Sequence, residues 1–120
     1  MTVSGLASFK GPVTVACHND EPGVITVEGR SPDYFLRFSV HAPRKGTHKI
    51  VMEGLTPGTP AYARFDVFEI TRDRYVVPSG DVTIEDDDGR TGTLRATHFT
   101  KSGGRLEPID LTVEARWSCR

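Results

Sequence analysis

The sequence predicts an all-β fold, an antiparallel two-sheet β-sandwich of immunoglobulin-like architecture with about eight strands. Three observations predict it. Apolar residues recur at every second position in one segment after another, which is the period of a half-buried strand. Clusters of Pro and Gly with Asp, Asn or Ser interrupt the chain at near-regular intervals and supply the fixed or positive φ that tight turns need. No segment of useful length carries the helical period. A small β-barrel fits the same pattern and is the alternative architecture.

In chain order, Val13, Val15 and Cys17 share the core-facing line of a first strand, closed by the turn Asn19-Asp20-Glu21-Pro22-Gly23. After the turn Ser31-Pro32-Asp33, residues Tyr34, Leu36, Phe38 and Val40 form a second apolar line, with Arg37, Ser39 and His41 opposite. Pro43-Arg44-Lys45-Gly46 turns the chain again, and His48 opens the next segment, so a hairpin there would set His41 and His48 near each other. Ala63, Phe65 and Val67 alternate with Arg64 and Asp66, and Leu94 and Ala96 with Arg95 and Thr97. His98 continues the apolar line of Leu94 and Ala96 and is expected half-buried. Asp88-Gly89, between two alternating runs, is the clearest hairpin signal. The final segment gives the clearest signal, a long strand with one wet face: Ile109, Leu111, Val113, Ala115, Trp117 and Cys119 face one way, and Asp110, Thr112, Glu114, Arg116 and Ser118 the other.

At 120 residues the chain suits one domain spanning 1–120, since domains commonly run about 100 to 150 residues. With 37% hydrophobic and 26% charged residues, a modest core is available and wholesale disorder is not expected. The formal net charge of −1 and the interspersion of Lys and Arg with Asp and Glu argue against a nucleic-acid or anionic-membrane surface. No apolar run reaches the length of a transmembrane helix. Residues 1–10 lack the basic-then-apolar pattern of a secretory signal, and Met1 is read as a start codon standing before a mature domain.

The chain has two cysteines, each on the core-facing line of its strand. A disulfide and two buried thiols both fit that phase. The even count, the position near opposite ends of an all-β chain where terminal strands often pair, and the modest core favour the bridge Cys17–Cys119. A bridge implies an oxidising, extracytoplasmic compartment. It is expected to staple paired terminal strands rather than pin two sheets. A strict immunoglobulin domain is excluded, because there the Trp lies between the cysteines in the middle of the domain, whereas Trp117 sits just before the second. Trp117 is expected in the core beside the disulfide.

Four groups of residues merit weighing as sites. Glu85 with Asp86, Asp87 and Asp88 resembles calcium chemistry, because hard cations take clustered carboxylates. Placing Gly89 at the sixth position of an EF-hand loop puts Ile84 first and Arg95 twelfth, where carboxylates are required, so a solvated hairpin tip is expected and Asp86, Asp87 and Asp88 remain a weak calcium alternative. His18 beside Asn19, Asp20 and Glu21 falls short of the three or four convergent ligands of a zinc site. Ser39 with His41 on one face offers neither an orienting acid nor an oxyanion donor, so no catalytic residue is assigned. The segment Leu55-Thr56-Pro57-Gly58-Thr59-Pro60-Ala61-Tyr62 is a rigid, partly apolar loop, and Pro57, Pro60 and Tyr62 are the candidate binding residues. No cofactor is expected.

The stretch DGRTGTLRATHFTKSGGRLEPIDLTVEARWSC, from Asp88 through Cys119, resembles the carboxy-terminal part of the mycobacterial lipoprotein antigen family: a Gly-Thr-hydrophobic-Ala segment, a polar loop with a Pro, then a long alternating strand ending in Cys. Gly11-Pro12-Val13-Thr14-Val15-Ala16-Cys17 resembles that family's first core strand. The resemblance implies an extracytoplasmic β-sandwich displayed on a bacterial envelope, with Cys17 and Cys119 bridged. The family's lipid-bearing Cys, signal peptide and Ser/Thr/Gly-rich tether have no counterpart in these residues, and the middle of the chain has no match.

Together these readings lead us to expect a non-enzymatic, exported or envelope-attached domain that binds a protein, glycan or lipid through loops at one end of the sandwich. The alternative expectation is a small barrel enzyme or carrier of an apolar ligand, with His41 or His98 as acid or base.

Overall fold

The computed structural model describes residues 1–5, 8–19, 22–41, 44–51, 62–70, 73–76, 79–86, 89–101 and 109–119, with the side chains of 51, 62–68, 70, 73–76 and 101 left aside. Its elements are all strands: β1 (Thr2–Gly5), β2 (Phe9–Lys10), β3 (Thr14–His18), β4 (Val24–Arg30), β5 (Tyr34–His41), β6 (Gly46–Val51), β7 (Tyr62–Ile70), β8 (Asp73–Val76), β9 (Ser79–Ile84), β10 (Thr91–Lys101) and β11 (Ile109–Ser118). They form a two-sheet sandwich. One sheet runs β2-β1-β11-β10-β9-β6, and the other β7-β5-β4-β3 with β8 beside β7. All pairings are antiparallel except a short parallel contact of β6 with β7. β6 and the far end of β10 cross from the first sheet to the second. The strand order ends on β2 and β3, which do not pair with each other, so the strands do not close into a barrel.

The described residues hold eleven strands where turn spacing leads one to expect roughly eight. β1, β2 and β8 are too short to show a period. β4 was hidden for another reason: Ile25, Thr26 and Val27 are consecutively buried, so its two faces do not alternate apolar with polar. The expected hairpin between β5 and β6 does not form. β7 lies between them, and His41 pairs with Val24 and Tyr62 while His48 pairs with Val82. In β7 a register shift sets Phe65 opposite Phe38 and Val67 opposite Arg37.

The core follows the expected lines of β5 and β11. Leu36, Phe38 and Val40 from one sheet meet Leu111, Val113 and Trp117 from the other, joined by Val82, Ile84, Leu94, Ala96 and Phe99. Phe38 and Trp117 meet edge to face across the sheets, with centroids 5.0 Å apart. That geometry sets the positive ring edge against the negative ring face. The Trp117 indole N–H donates to the Gly89 carbonyl at 3.2 Å. Gly92, on β10 beneath the indole, has no room for a side chain: a Cβ would overlap both the Trp117 ring and the Thr83 carbonyl.

Cys17 and Cys119 form a disulfide with their Cα atoms 5.8 Å apart across 102 residues of sequence. Its place corrects one expectation. Cys17 lies on β3, the third strand and the edge of the second sheet, whereas Cys119 follows β11, which lies inside the first sheet between β1 and β10. Since β3 and β11 do not pair, the bond pins the two sheets together. The terminal strand that pairs with β11 is β1.

His98 is also corrected, from half-buried to exposed. A bulge between Thr97 and Phe99 adds a residue to β10, turns His98 outward at φ 56°, and puts Phe99 into the core. The bulge sits where β10 leaves β11 and reaches β8, so it serves the bend between sheets. An L-residue in the left-handed region costs about 1–2 kcal/mol, and β-branched residues tolerate it worst. His98→Val is therefore expected to lower stability despite its exposure, because a β-branched residue tolerates this φ worse than His does, and His98→Gly not to lower it, as read from chemical denaturation midpoints.

Candidate functional site

The described loop with the most recognition chemistry is the β4–β5 hairpin. Pro32 presets φ for a tight turn, and Ser31 closes it from both sides: its N–H donates to the Tyr34 carbonyl at 3.0 Å, and its Oγ accepts from the Tyr34 N–H at 3.1 Å. This short connection fixes the register so that Arg30 stands directly opposite Phe35, and Phe35 in turn opposite Glu69 of β7. The Arg30 guanidinium lies 4.5 Å from the centre of the Phe35 ring. A cation in that position is attracted by the negative face of the ring, and the guanidinium carries five N–H donors. No described carboxylate forms an ion pair with Arg30. Below the tip, the Tyr34 ring packs against Phe9 at 5.1 Å, and its hydroxyl donates to the Ser8 carbonyl at 3.4 Å. A shallow groove of about 320 Å³ opens here, walled by Arg30, Phe35, Asp33 and Glu69.

Other candidate residues lie apart from this groove. Pro57 and Pro60 fall outside the described residues. Tyr62 is described only as the first residue of β7, opposite His41. Of the calcium alternative, Asp87 and Asp88 also fall outside the described residues. The Asp86 carboxylate is engaged within its own hairpin: Oδ1 accepts from the backbone N–H of Arg90 at 2.9 Å and of Thr91 at 3.3 Å, and Oδ2 accepts from the Thr91 hydroxyl at 3.0 Å. Those bonds organise the β9–β10 connection that the Asp88-Gly89 signal foretold, with Gly89 at φ 74°. Among the described residues no group of three His, Cys, Asp or Glu side chains converges as a metal site.

The histidines are dispersed. His18 Nε2 lies 3.7 Å from Glu28, which is also 3.7 Å from Arg37 Nε, on the outer face of the second sheet. His48 is buried, with Nε2 2.7 Å from the Arg44 carbonyl. His98 bonds its neighbour Thr97, Oγ1 to Nδ1, at 2.9 Å beside a surface groove of about 220 Å³. Ser39 is buried against Thr26, hydroxyl to hydroxyl at 3.0 Å. The outer face of the first sheet carries a row of alternating charge, Lys49, Asp81, Arg95 and Glu114, in register across four strands. Its ion pairs, Lys49–Asp81 at 2.8 Å and Arg95–Glu114 at 3.8 Å, are exposed and contribute about 0–1 kcal/mol each.

Sequence reasoning found the Ser31-Pro32-Asp33 turn but not the stack it creates. The signal was present: a two-residue connection places the residues on either side of Ser31 and Tyr34 opposite each other, which pairs Arg30 with Phe35. Comparison with known proteins gave no match to a family model, to a curated protein or to a solved structure.

Proposed function

We propose that this chain is a non-enzymatic, extracytoplasmic binding domain, displayed on an envelope in the manner of the lipoprotein antigens its ends resemble, and that the β4–β5 tip contacts the ligand. The Arg30–Phe35 pair carries this reading: an exposed cation over a ring, with no carboxylate partner among the described residues, on a hairpin braced by Ser31. Arg30 donates hydrogen bonds, Asp33 accepts them, and the ring offers an apolar surface. A hydroxyl-rich ligand matches that set best, so a glycan is the favoured class, with protein and lipid headgroup as competing outcomes. The disulfide supports the compartment, since such bonds persist where thiols are not kept reduced. Among the described residues, no helix is long and apolar enough to cross a membrane.

The second expectation, a barrel enzyme or carrier using His41 or His98, needs an apolar interior open to a ligand. Phe38, Phe99, Trp117 and their neighbours fill the space between the sheets, and His98 faces outward, so no observation favours it.

A glycan array probed with the oxidised protein, alongside Arg30→Ala and Phe35→Ala, tests the proposal. The expected result is binding by the wild type and its loss in both variants, with the melting temperature of Arg30→Ala unchanged because the side chain is exposed. Equal binding by Arg30→Ala, or binding only to a protein or lipid array, overturns it.

A further inference from the structure

We infer that β3 is a pairing edge for a second copy of this chain, joined antiparallel about Ala16. β3 ends the strand order, with β4 on one side and no described strand on the other. Alternate residues of such a strand direct N–H and C=O groups away from the sheet, a template for another strand.

The two ends of the strand order differ. β2, at the other end, is two residues long and carries Lys10, both of which discourage pairing. β3 spans five residues without Pro, Lys, Arg, Asp or Glu, and its pairing with β4 has no register shift. None of the usual devices that blunt an edge is present in it. A free edge strand normally frays, and ordering it on association is costly. Here Cys17 is tied to Cys119 in the other sheet, so the edge is held in place before a partner arrives.

The occupant follows from the residues themselves. An antiparallel pair of β3 strands centred on Ala16 sets Ala16 against itself, Thr14 of one copy against His18 of the other, and Val15 against Cys17. The exposed row then contains Thr14, Ala16 and His18, with no acidic or Lys/Arg side chains opposed and the smallest side chain at the twofold axis. The inner row extends the half-buried line of Val15 and Cys17. The interface is isologous, as closed dimers require, and its shortness makes it weak and concentration-dependent.

Sedimentation velocity of the oxidised full chain over a dilution series tests this. The expected result is a sedimentation coefficient that rises with concentration. Ala16→Lys and Ala16→Glu, each placing like charge against like at the axis, are each expected to stay monomeric. Their equimolar mixture is expected to associate again. Should Ala16→Lys fold poorly by tryptophan fluorescence, the double variant Thr14→Glu with His18→Glu opposes like charges at both ends of the ladder and is also expected to be monomeric. A wild type that remains monomeric throughout overturns the inference. So does a dimer that these variants leave intact.

Discussion

Replacing Cys17 and Cys119 together by Ala is expected to lower stability by up to about 4.7 kcal/mol, the chain-entropy figure for a loop of roughly 100 residues. The pair closes 102 residues of sequence, nearly the whole chain, so its loss frees the unfolded ensemble more than almost any other bond in this chain would. A typical domain has about 5–15 kcal/mol in total, so the loss is a large part of it. The folded state is affected too. Without the bond, the described contacts left to β3 are its ladder to β4 and the packing of Val15 and Cys17 against the core. Urea denaturation gives the measurement: the wild type in reductant and the double variant are expected to share one midpoint, well below that of the oxidised wild type. Coincident midpoints for all three would show that the bond contributes nothing.

Trp117→Ala is expected to cost about 3–5 kcal/mol, the range for removing a large buried aromatic from a core. Three contacts go at once. The edge-to-face meeting with Phe38 links the sheets, the indole N–H satisfies the Gly89 carbonyl, and the ring covers Gly92. The unpaired carbonyl alone carries a penalty of about 1–3 kcal/mol if it stays buried, so Trp117→Phe, which keeps a ring but not the donor, is expected to fall between wild type and Ala. Thermal or chemical denaturation ranks the three proteins. A Trp117→Phe variant as stable as the wild type would remove the hydrogen bond from the account.

How much of this was legible in the sequence depends on what a period of two can say. It assigns each residue of a strand to a face, and in β5 and β11 it did so correctly over their whole length, including the disulfide cysteine that follows β11. It does not say which strand lies beside which. The Cys pair was therefore found while its role was misread, because a staple between paired strands and a pin between sheets give the same pattern on each strand. A bulge is equally silent: one extra residue at Thr97–His98–Phe99 reversed the faces of His98 and Phe99 without any change in composition. β4 was lost because Thr26 is buried by a hydrogen bond to Ser39 and not by being apolar. At the candidate site the turn was readable and its consequence, Arg30 over Phe35, followed from counting across it. Pro57 and Pro60, chosen because rigid loops often bind, were singled out by composition alone.

The bond between Cys17 and Cys119 joins the two sheets, ties down the β3 edge and is compatible with an extracytoplasmic location. Peptide mapping by mass spectrometry, on protein exported to an oxidising compartment and digested without reductant, tests it most directly. The account predicts one linked pair of peptides, containing Cys17 and Cys119, that separates when reductant is added. Recovery of both peptides unlinked, with each thiol free to alkylation in the native protein, would contradict it.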